Sequence, residues 1–365
     1  MKGLRLLGVL GLSILSIGAL ASCGKKDSTK YEFGELKVSI PTGVIRTAGD
    51  IIAIEKGFYK EEGVKVTGVN IQGTNALTAL NTNSNDLDLL TLGFVPDVQA
   101  ISNGYDNIRF IGGTAVEGGA LIAKKGSASK YKDSSSIINF TEIKNASLAF
   151  AVGEASFVVT NQYLTENDPT YNKDQLNISN LADAQTVALQ VGKGNFDVGF
   201  LPLEYANLYK DSYGVELIAK AGDLIPEYVC CRQATSAEKY AAKYDAFVAY
   251  EKGRIRAWEF IEDSKNKDEV VDIIANYIKK DEAYVENYLY GGITKWSVDP
   301  NTKGINTYTQ ALRNAGVLKN EIKDITSYVD TNAYKAALDA LATANPTNTF
   351  YQDKVTLFNN YNVSK

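Results

Sequence analysis

The chain has 365 residues and no histidine, so it lacks the usual general base near neutral pH and the commonest metal ligand. Serine or cysteine triads and most zinc sites are thereby excluded. Carboxylate or lysine chemistry is left, yet no short-spaced carboxylate pair sits in a glycine-rich setting, and neither G-x-x-x-x-G-K-[ST] nor G-x-G-x-x-G occurs. No catalytic residue, cofactor or metal is expected, and the chain reads as a non-enzyme. Of the three cysteines, Cys230 and Cys231 are neighbours. A disulfide between adjacent residues needs a strained ring, so they read as buried strand residues.

Cys23 belongs to different chemistry. Lys2 and Arg5 precede an apolar run over residues 6–20, and small residues then lead into Cys23, the layout of a secretory signal. A spanning helix needs roughly 20 apolar residues, and this run is shorter and is followed at once by Lys25 and Lys26. "LASC" resembles the bacterial lipobox, which implies an acylated Cys23 at the start of the mature chain. Residues 1–22 are then a lipoprotein signal peptide and residues 23–34 a polar, aperiodic tether. Losing residues 1–22 moves the formal charge from −5 to −7. That balance offers no basic footprint for nucleic acid.

The elements that must position any site follow from periodicity. "ELKVSI" reads as a strand, "TAGDIIAIEKGFYKEEG" as a helix with Ile51, Ile52 and Ala53 toward a sheet, and "VKVTGVNI" as a strand. "TNALTALNTN" gives a short helix capped by Thr74, and "DLDLLTL" an apolar strand. Strands alternating with helices imply a parallel-rich α/β sheet. Two distant segments repeat one design: an Ala-Leu helix, a turn, Asp88 or Asp197, a strand, Gly-Phe-x-Pro, and a helix. Pro96 and Pro202 fall at the first turn of those helices, where a missing N–H costs nothing. Ligands of open α/β sheets bind outside the carboxyl ends of strands, so each copy supplies one strand end and one helix N-terminus.

"IAIEKGFYKEEGVKV", "GFVPDVQAISNG", "FIGGTAVEGGALIAKKGS", "ASLAFAVGEASFVVTNQYL" and "GNFDVGFLPLEYANL" follow one another in order. Together they resemble the nitrate, sulfonate and taurine solute-binding proteins of ABC importers, a family that includes thiamine-precursor-binding proteins. The resemblance implies a two-lobed α/β periplasmic-binding fold of type 2 with a helical C-terminal part. Lobe one is expected at 35–125 and 228–365 and lobe two at 126–227. It also implies an extracytoplasmic, lipid-anchored, monomeric receptor that delivers a small solute to a permease and its ATPase. Yeast relatives of the fold that make the thiamine pyrimidine use an essential histidine, absent here. A lipoprotein with a closed cleft and an adhesive or structural role is the other alternative.

Placed on that fold, the loop "PTGVIRTAG" brings Thr42, Gly43, Arg46 and Thr47 to the cleft, with Arg46 either a solvated cation or the anchor of an anion. Gly93, Phe94 and Val95 form the next strand end, Phe94 being core or pocket. Glu117 suits a cationic or amine group, beside the backbone of Gly118. Across the cleft a helix starts near Glu154, Ala155 and Ser156, and its N–H groups favour negative charge. Glu154 opposes that reading; it caps its own helix or binds an amine. Phe200, Leu201 and Tyr205 complete the far side. Arg46 and the helix N-terminus argue for a sulfonate-like anion. Glu117 and Glu154 argue for a zwitterion such as taurine, or an aminopyrimidine stacked on Phe94 or Phe200.

Cys23→Ala is expected to abolish lipid modification and leave the protein unprocessed or released, as read by metabolic labelling with a fatty-acid analogue. Unchanged labelling would overturn the lipobox reading.

Overall fold

The computed structural model describes residues 31–151 and 154–363. The signal segment, Cys23 and most of the tether lie outside them. No helix among the described residues is long and apolar enough to cross a membrane.

Lobe one begins with the parallel pair β1 (Glu35–Ser39) and β2 (Lys65–Val69). A parallel bridge from Val38 to Leu89 joins this pair to β3 (Leu90–Gly93). β3 is the edge of a sheet in which it follows β12 (Val229–Ser236), β4 (Ile108–Val116) and β13 (Lys295–Trp296). Lobe two is a five-stranded sheet in the order β11 (Val215–Lys220), β5 (Gly119–Lys124), β10 (Val198–Pro202), β8 (Ser147–Ala151) and β9 (Asn177–Leu181). A two-stranded hairpin, β6 (Lys132–Asp133) with β7 (Ile137–Ile138), lies between β5 and β8 in the chain.

The chain passes between sheets at two places. After β4, Glu117 and Gly118 adopt φ of 63° and 103°, and this left-handed pair turns the strand direction into β5. β5 pairs antiparallel with β10 and β11. The segment 119–124, expected in lobe one, is therefore built into the lobe-two sheet. Gly126 and its polar neighbours, read as the crossing, form a turn within that lobe. The return runs over residues 221–228, between β11 and β12.

The helix expected over "TAGDIIAIEKGFYKEEG" is divided into Ala48–Glu55 and Phe58–Glu61, because Gly57 sits at φ 76°. Ile51, Ile52 and Ala53 are fully buried. A Cβ on Gly49 would stand 2.5 Å from the Trp258 indole nitrogen, so glycine lets this helix lie flat on Tyr244–Glu262. The helix Gly73–Asn81 starts at Gln72 without a side-chain cap, so Thr74 does not cap it.

The repeat rests on the aspartates. Asp88 accepts from the Lys37 backbone N–H at 2.8 Å and its own N–H donates to Lys37 O at 2.7 Å. Asp197 does the same with Ser147, at 2.8 and 3.0 Å. Each carboxylate thus fastens the first parallel strand of its lobe to the strand that follows it. A helix begins six residues after either aspartate, at Phe94 and at Leu203. The two Gly-Phe-x-Pro strings are therefore out of phase. Gly93 to Pro96 straddles a strand end and a helix start, whereas Gly199 to Pro202 lies wholly within β10.

Asp197→Ala is expected to cost about 0.5–1.5 kcal/mol, by removing hydrogen bonds to the Ser147 N–H and hydroxyl at a site that water can reach. Asp88→Ala is expected to cost about 3–5 kcal/mol, because Asp88 also holds the buried Lys239 and, at 2.8 Å, Lys243. Urea unfolding of both variants checks the order; equal, small losses would remove the aspartates from this role.

Candidate functional site

A cavity of about 210 Å³ opens where the strand ends of the two lobes meet. From lobe one, the turn Ile45–Thr47 after β1 supplies Arg46, and the β3 end supplies Gly93, Phe94 and Val95. From lobe two come Glu154 and Ala155 at the start of the helix Ala155–Asn167, Pro202 at the end of β10, and Glu204 just beyond it. The crossings add Gly118 and Tyr228, and the strands they lead into add Gly119, Cys230 and Cys231. Gly119 is required by contact: its N–H donates to Tyr228 Oη at 2.7 Å, and a Cβ there would meet Ser156 Cβ at 2.8 Å.

The third contributor is the C-terminal part. Tyr288, on the helix Glu282–Tyr290, and Trp296, on β13, close the wall. A wider opening of about 640 Å³ shares Glu204 and Tyr288 with the cavity and is lined by Gly43, Tyr205 and Tyr284. It forms the mouth.

Glu154 decides the electrostatics of the lobe-two side. Its carboxylate accepts from Ser156 N–H at 3.0 Å and Ser156 Oγ at 2.7 Å, so the helix N-terminus is occupied by the protein's own acid. Burial raises its pKa to about 7 against the opposing pull of those hydrogen bonds. Burial also raises Glu204, with Tyr288 and Arg46 acting the other way. Asp97 is fully buried behind the β3 end, and neither of its carboxylate oxygens has a hydrogen-bond partner. Burial, then Cys231, push its pKa well up, with Arg46 opposing. Arg46 is favoured in its charged form, chiefly by Cys231 and then by Cys230, Tyr288 and Glu204. The site is one guanidinium facing two carboxyl groups across an aromatic-walled cavity.

Among the residues singled out from sequence, Arg46, Gly93, Phe94, Val95, Gly118, Glu154 and Ala155 line this cavity. Gly43 and Tyr205 line the mouth instead. Thr42 is exposed, and Thr47 is buried with its hydroxyl on Val44 O at 2.9 Å. Glu117 turns toward the return crossing, accepting from Glu227 N–H at 3.1 Å. Ser156 is spent on Glu154. Phe200 and Leu201 are fully buried in the lobe-two core, because they belong to a strand and not to a strand end. Cys230 and Cys231, expected as buried strand residues, both lie on β12, with Cys231 buried and Cys230 half-buried, and both also line the cavity. Glu204 holds the place in its repeat that Val95 holds in the other, so aligning the repeats on their aspartates exposes it. Tyr228, Tyr288 and Trp296 carry no sequence signal among 22 tyrosines and two tryptophans.

Among the described residues no group of His, Cys, Asp and Glu is arranged to hold a metal ion. No protein-family model and no curated protein sequence matches the chain. Solved structures do match in fold. A putative sulfonate ABC transporter periplasmic sulfonate-binding protein from Methylobacillus flagellatus KT superposes with a TM-score of 0.67 at 12% identity, over 85% of this chain and 96% of that one. The aliphatic sulphonate-binding protein of Escherichia coli gives 0.65 at 14%, over 83% and 99%. The nitrate-binding protein of Synechocystis PCC 6803 gives 0.62 at 14%, over 87% and 90%. The fold is the two-lobed one of periplasmic binding proteins.

Glu154 makes stability depend on pH. Its folded pKa of about 7 lies above the ordinary 4.5, so the folded state binds the extra proton between those values. Its contribution is fully present below about pH 4.5 and is lost as pH rises through about 7. Glu154→Gln keeps the capping oxygen and drops the charge. It is expected to raise the stability of the empty protein at pH 8 by on the order of 3 kcal/mol relative to wild type and to match wild type near pH 4.5. Thermal melts across that range check it; parallel curves for the two proteins would place the ionised Glu154 in water.

Proposed function

We propose that this protein is the extracytoplasmic solute-binding component of an ABC importer, held at the membrane by acylated Cys23, and that it captures a small organic zwitterion between its lobes. The observation that carries the reading is the opposition of Arg46 to Glu154 and Glu204 across one small cavity. A simple anion such as nitrate would meet Arg46 but would also face both carboxyl groups, and unpaired charge in a buried site is costly. A solute with a sulfonate or carboxylate at one end and an amine at the other satisfies both sides. The cavity volume suits a molecule smaller than the drug-sized ligands of ordinary pockets. The fold likeness supports a capture role, and closing around a solute is the usual motion of hinged two-lobed receptors. The chain is read as a binder and not an enzyme because the solved structures that share its fold are named as binding proteins of transporters.

The aromatic wall favours a second reading. Tyr288 and Trp296 are the partly open rings of the cavity wall, whereas Phe94 and Tyr228 are buried against Tyr308, and an aminopyrimidine would stack on the open pair while donating from its amino groups to Glu154 or Glu204.

Thermal-shift screening with taurine, an alkanesulfonate, nitrate and an aminopyrimidine separates these readings, since a ligand at 100 times its Kd stabilises by about 2.7 kcal/mol. For a zwitterion, Arg46→Ala is expected to weaken binding by at least about tenfold by calorimetry. Arg46→Lys recovers part of the loss, because lysine lacks the planar fork. The saturated protein is expected to show a smaller radius of gyration by small-angle scattering. Binding of the aminopyrimidine with affinity unchanged in Arg46→Ala would move the assignment to the second reading. A saturating ligand that leaves the scattering curve unchanged would overturn closure.

A further inference from the structure

Cys230 and Cys231 are unused by capture, and their placement is unusual. In a regular strand, successive side chains point to opposite faces. Against β4, the register of β12 slips between Val229 and Cys231 and again between Cys231 and Arg232. Cys230 is the extra residue of a bulge, a device that leaves one residue unpaired and re-aims its side chain. Both residues consequently line the same cavity, and their sulfurs are 3.5 Å apart. Cys231 is 6% exposed, and Cys230 is the more open of the two. Packing alone would be served by one sulfur on each face.

The two thiols are also chemically unequal. A hydrogen bond shared with Cys230, in which either sulfur can donate, holds Cys231 below the usual thiol range, with Arg46 and Arg232 adding to it and burial opposing. The same hydrogen bond, together with burial, pushes Cys230 up. An attacking thiolate beside a resolving thiol is the arrangement of reversible redox pairs.

We propose that Cys230 and Cys231 form a two-electron redox site in the cavity wall, closed to a disulfide by exchange with a small oxidised disulfide of the glutathione type. The Cys231 thiolate attacks one sulfur of the oxidant, whose S–S bond breaks, and a mixed disulfide forms as one small thiolate leaves. Cys230 gives its proton to that thiolate and attacks the Cys231 sulfur, displacing the second small thiolate, which takes a proton from water. The two protein thiols lose two electrons, and the oxidant is reduced to two thiols. Adjacent Cα atoms stand about 3.8 Å apart, short of the roughly 4.4–6.8 Å that unstrained disulfides span, so the ring is strained and reopens readily with a monothiol. The bulge makes closure feasible, because Cys230 has no ladder partner to hold it in place. The inference does not depend on solute capture.

The test is equilibration of the intact protein in buffers of graded oxidised-to-reduced glutathione, followed by acid quench and peptide mass analysis. The peptide carrying both cysteines is expected to lose two hydrogen atoms and both titratable thiols together, and to regain them with excess reduced glutathione. Quenching of Trp296, which lines the same wall and stacks on Trp258 at 5.2 Å, is expected to shift in step. Cys230→Ser and Cys231→Ser should each stop at a glutathione adduct, formed faster when Cys231 is the thiol kept. Should a serine variant not fold, the wild-type peptide masses decide alone. Wild-type protein that stays reduced, collects only adducts, or closes the ring only after denaturation would overturn the proposal.

Discussion

Two buried guanidinium groups hold together the irregular strand pair β4 and β12, which supplies Ala115, Cys230 and Cys231 to the cavity wall. Along β4 the pairing to β12 slips repeatedly, and each slip frees a carbonyl that must find a partner inside the protein. Arg232, fully buried, donates from Nη2 to Ala115 O at 2.9 Å and from Nη1 to Asp299 O at 2.9 Å. Arg254 donates to Gly113 O and, at 2.8 Å, to the Thr114 hydroxyl. Arg232 therefore does two things at once. It satisfies the bulged strand, and it ties the segment after β13 to that strand. That fixes Trp296 in the wall. Burial lowers the Arg232 pKa to about 10, so it remains a cation at neutral pH. Gly113 is part of the same arrangement: a Cβ there would stand 2.0 Å from Arg232 Nη1.

A regular β4–β12 ladder would need neither arginine, but it would also send Cys230 and Cys231 to opposite faces. The irregularity that gives the cavity its sulfur-lined side is thus stabilised from behind by charge. A buried charge that loses its partners is strongly destabilising, so these residues tolerate little change. The lobe-two side is simpler. There, Glu154 fills its own helix terminus, and the cost of burying that carboxyl falls on the charged form. An amine entering the cavity would relieve the cost by pairing with the carboxylate.

Sequence periodicity made the lobes and their helices legible, because alternation and apolar stripes are local. Arg46, Phe94 and Glu154 reach the cavity for a related reason: each follows a strand end, and the strand ends of both lobes meet there. Phe200 and Leu201 were misplaced because a four-letter string was aligned where the physical repeat was the aspartate latch. The β5 assignment failed because the turning signal, Glu117 and Gly118 at positive φ, is two residues long and easily outweighed by the softer stretch at 126–129. Nothing in the sequence sets Cys230 and Cys231 on one side of their strand, since a regular pleat sends neighbours to opposite faces. No local pattern announces a bulge whose cause lies in arginines that meet the strand only after folding. Tyr288 and Trp296 are of the same kind: their role comes from tertiary placement alone.

The cavity also draws on residues far apart in the chain, with Arg46 and Trp296 separated by 250 positions. Pairings at such separation form late, since closing long loops costs entropy before any contact rewards it. A nascent chain emerging from the ribosome can therefore shape β1 to β3 early, while the cavity waits for the helix Glu282–Tyr290 and β13. A chain stopped short of residue 282 would hold both carboxyl groups and Arg46 yet lack the wall formed by Tyr288 and Trp296. A complete cavity is for this reason a property of the finished polypeptide and not of either lobe.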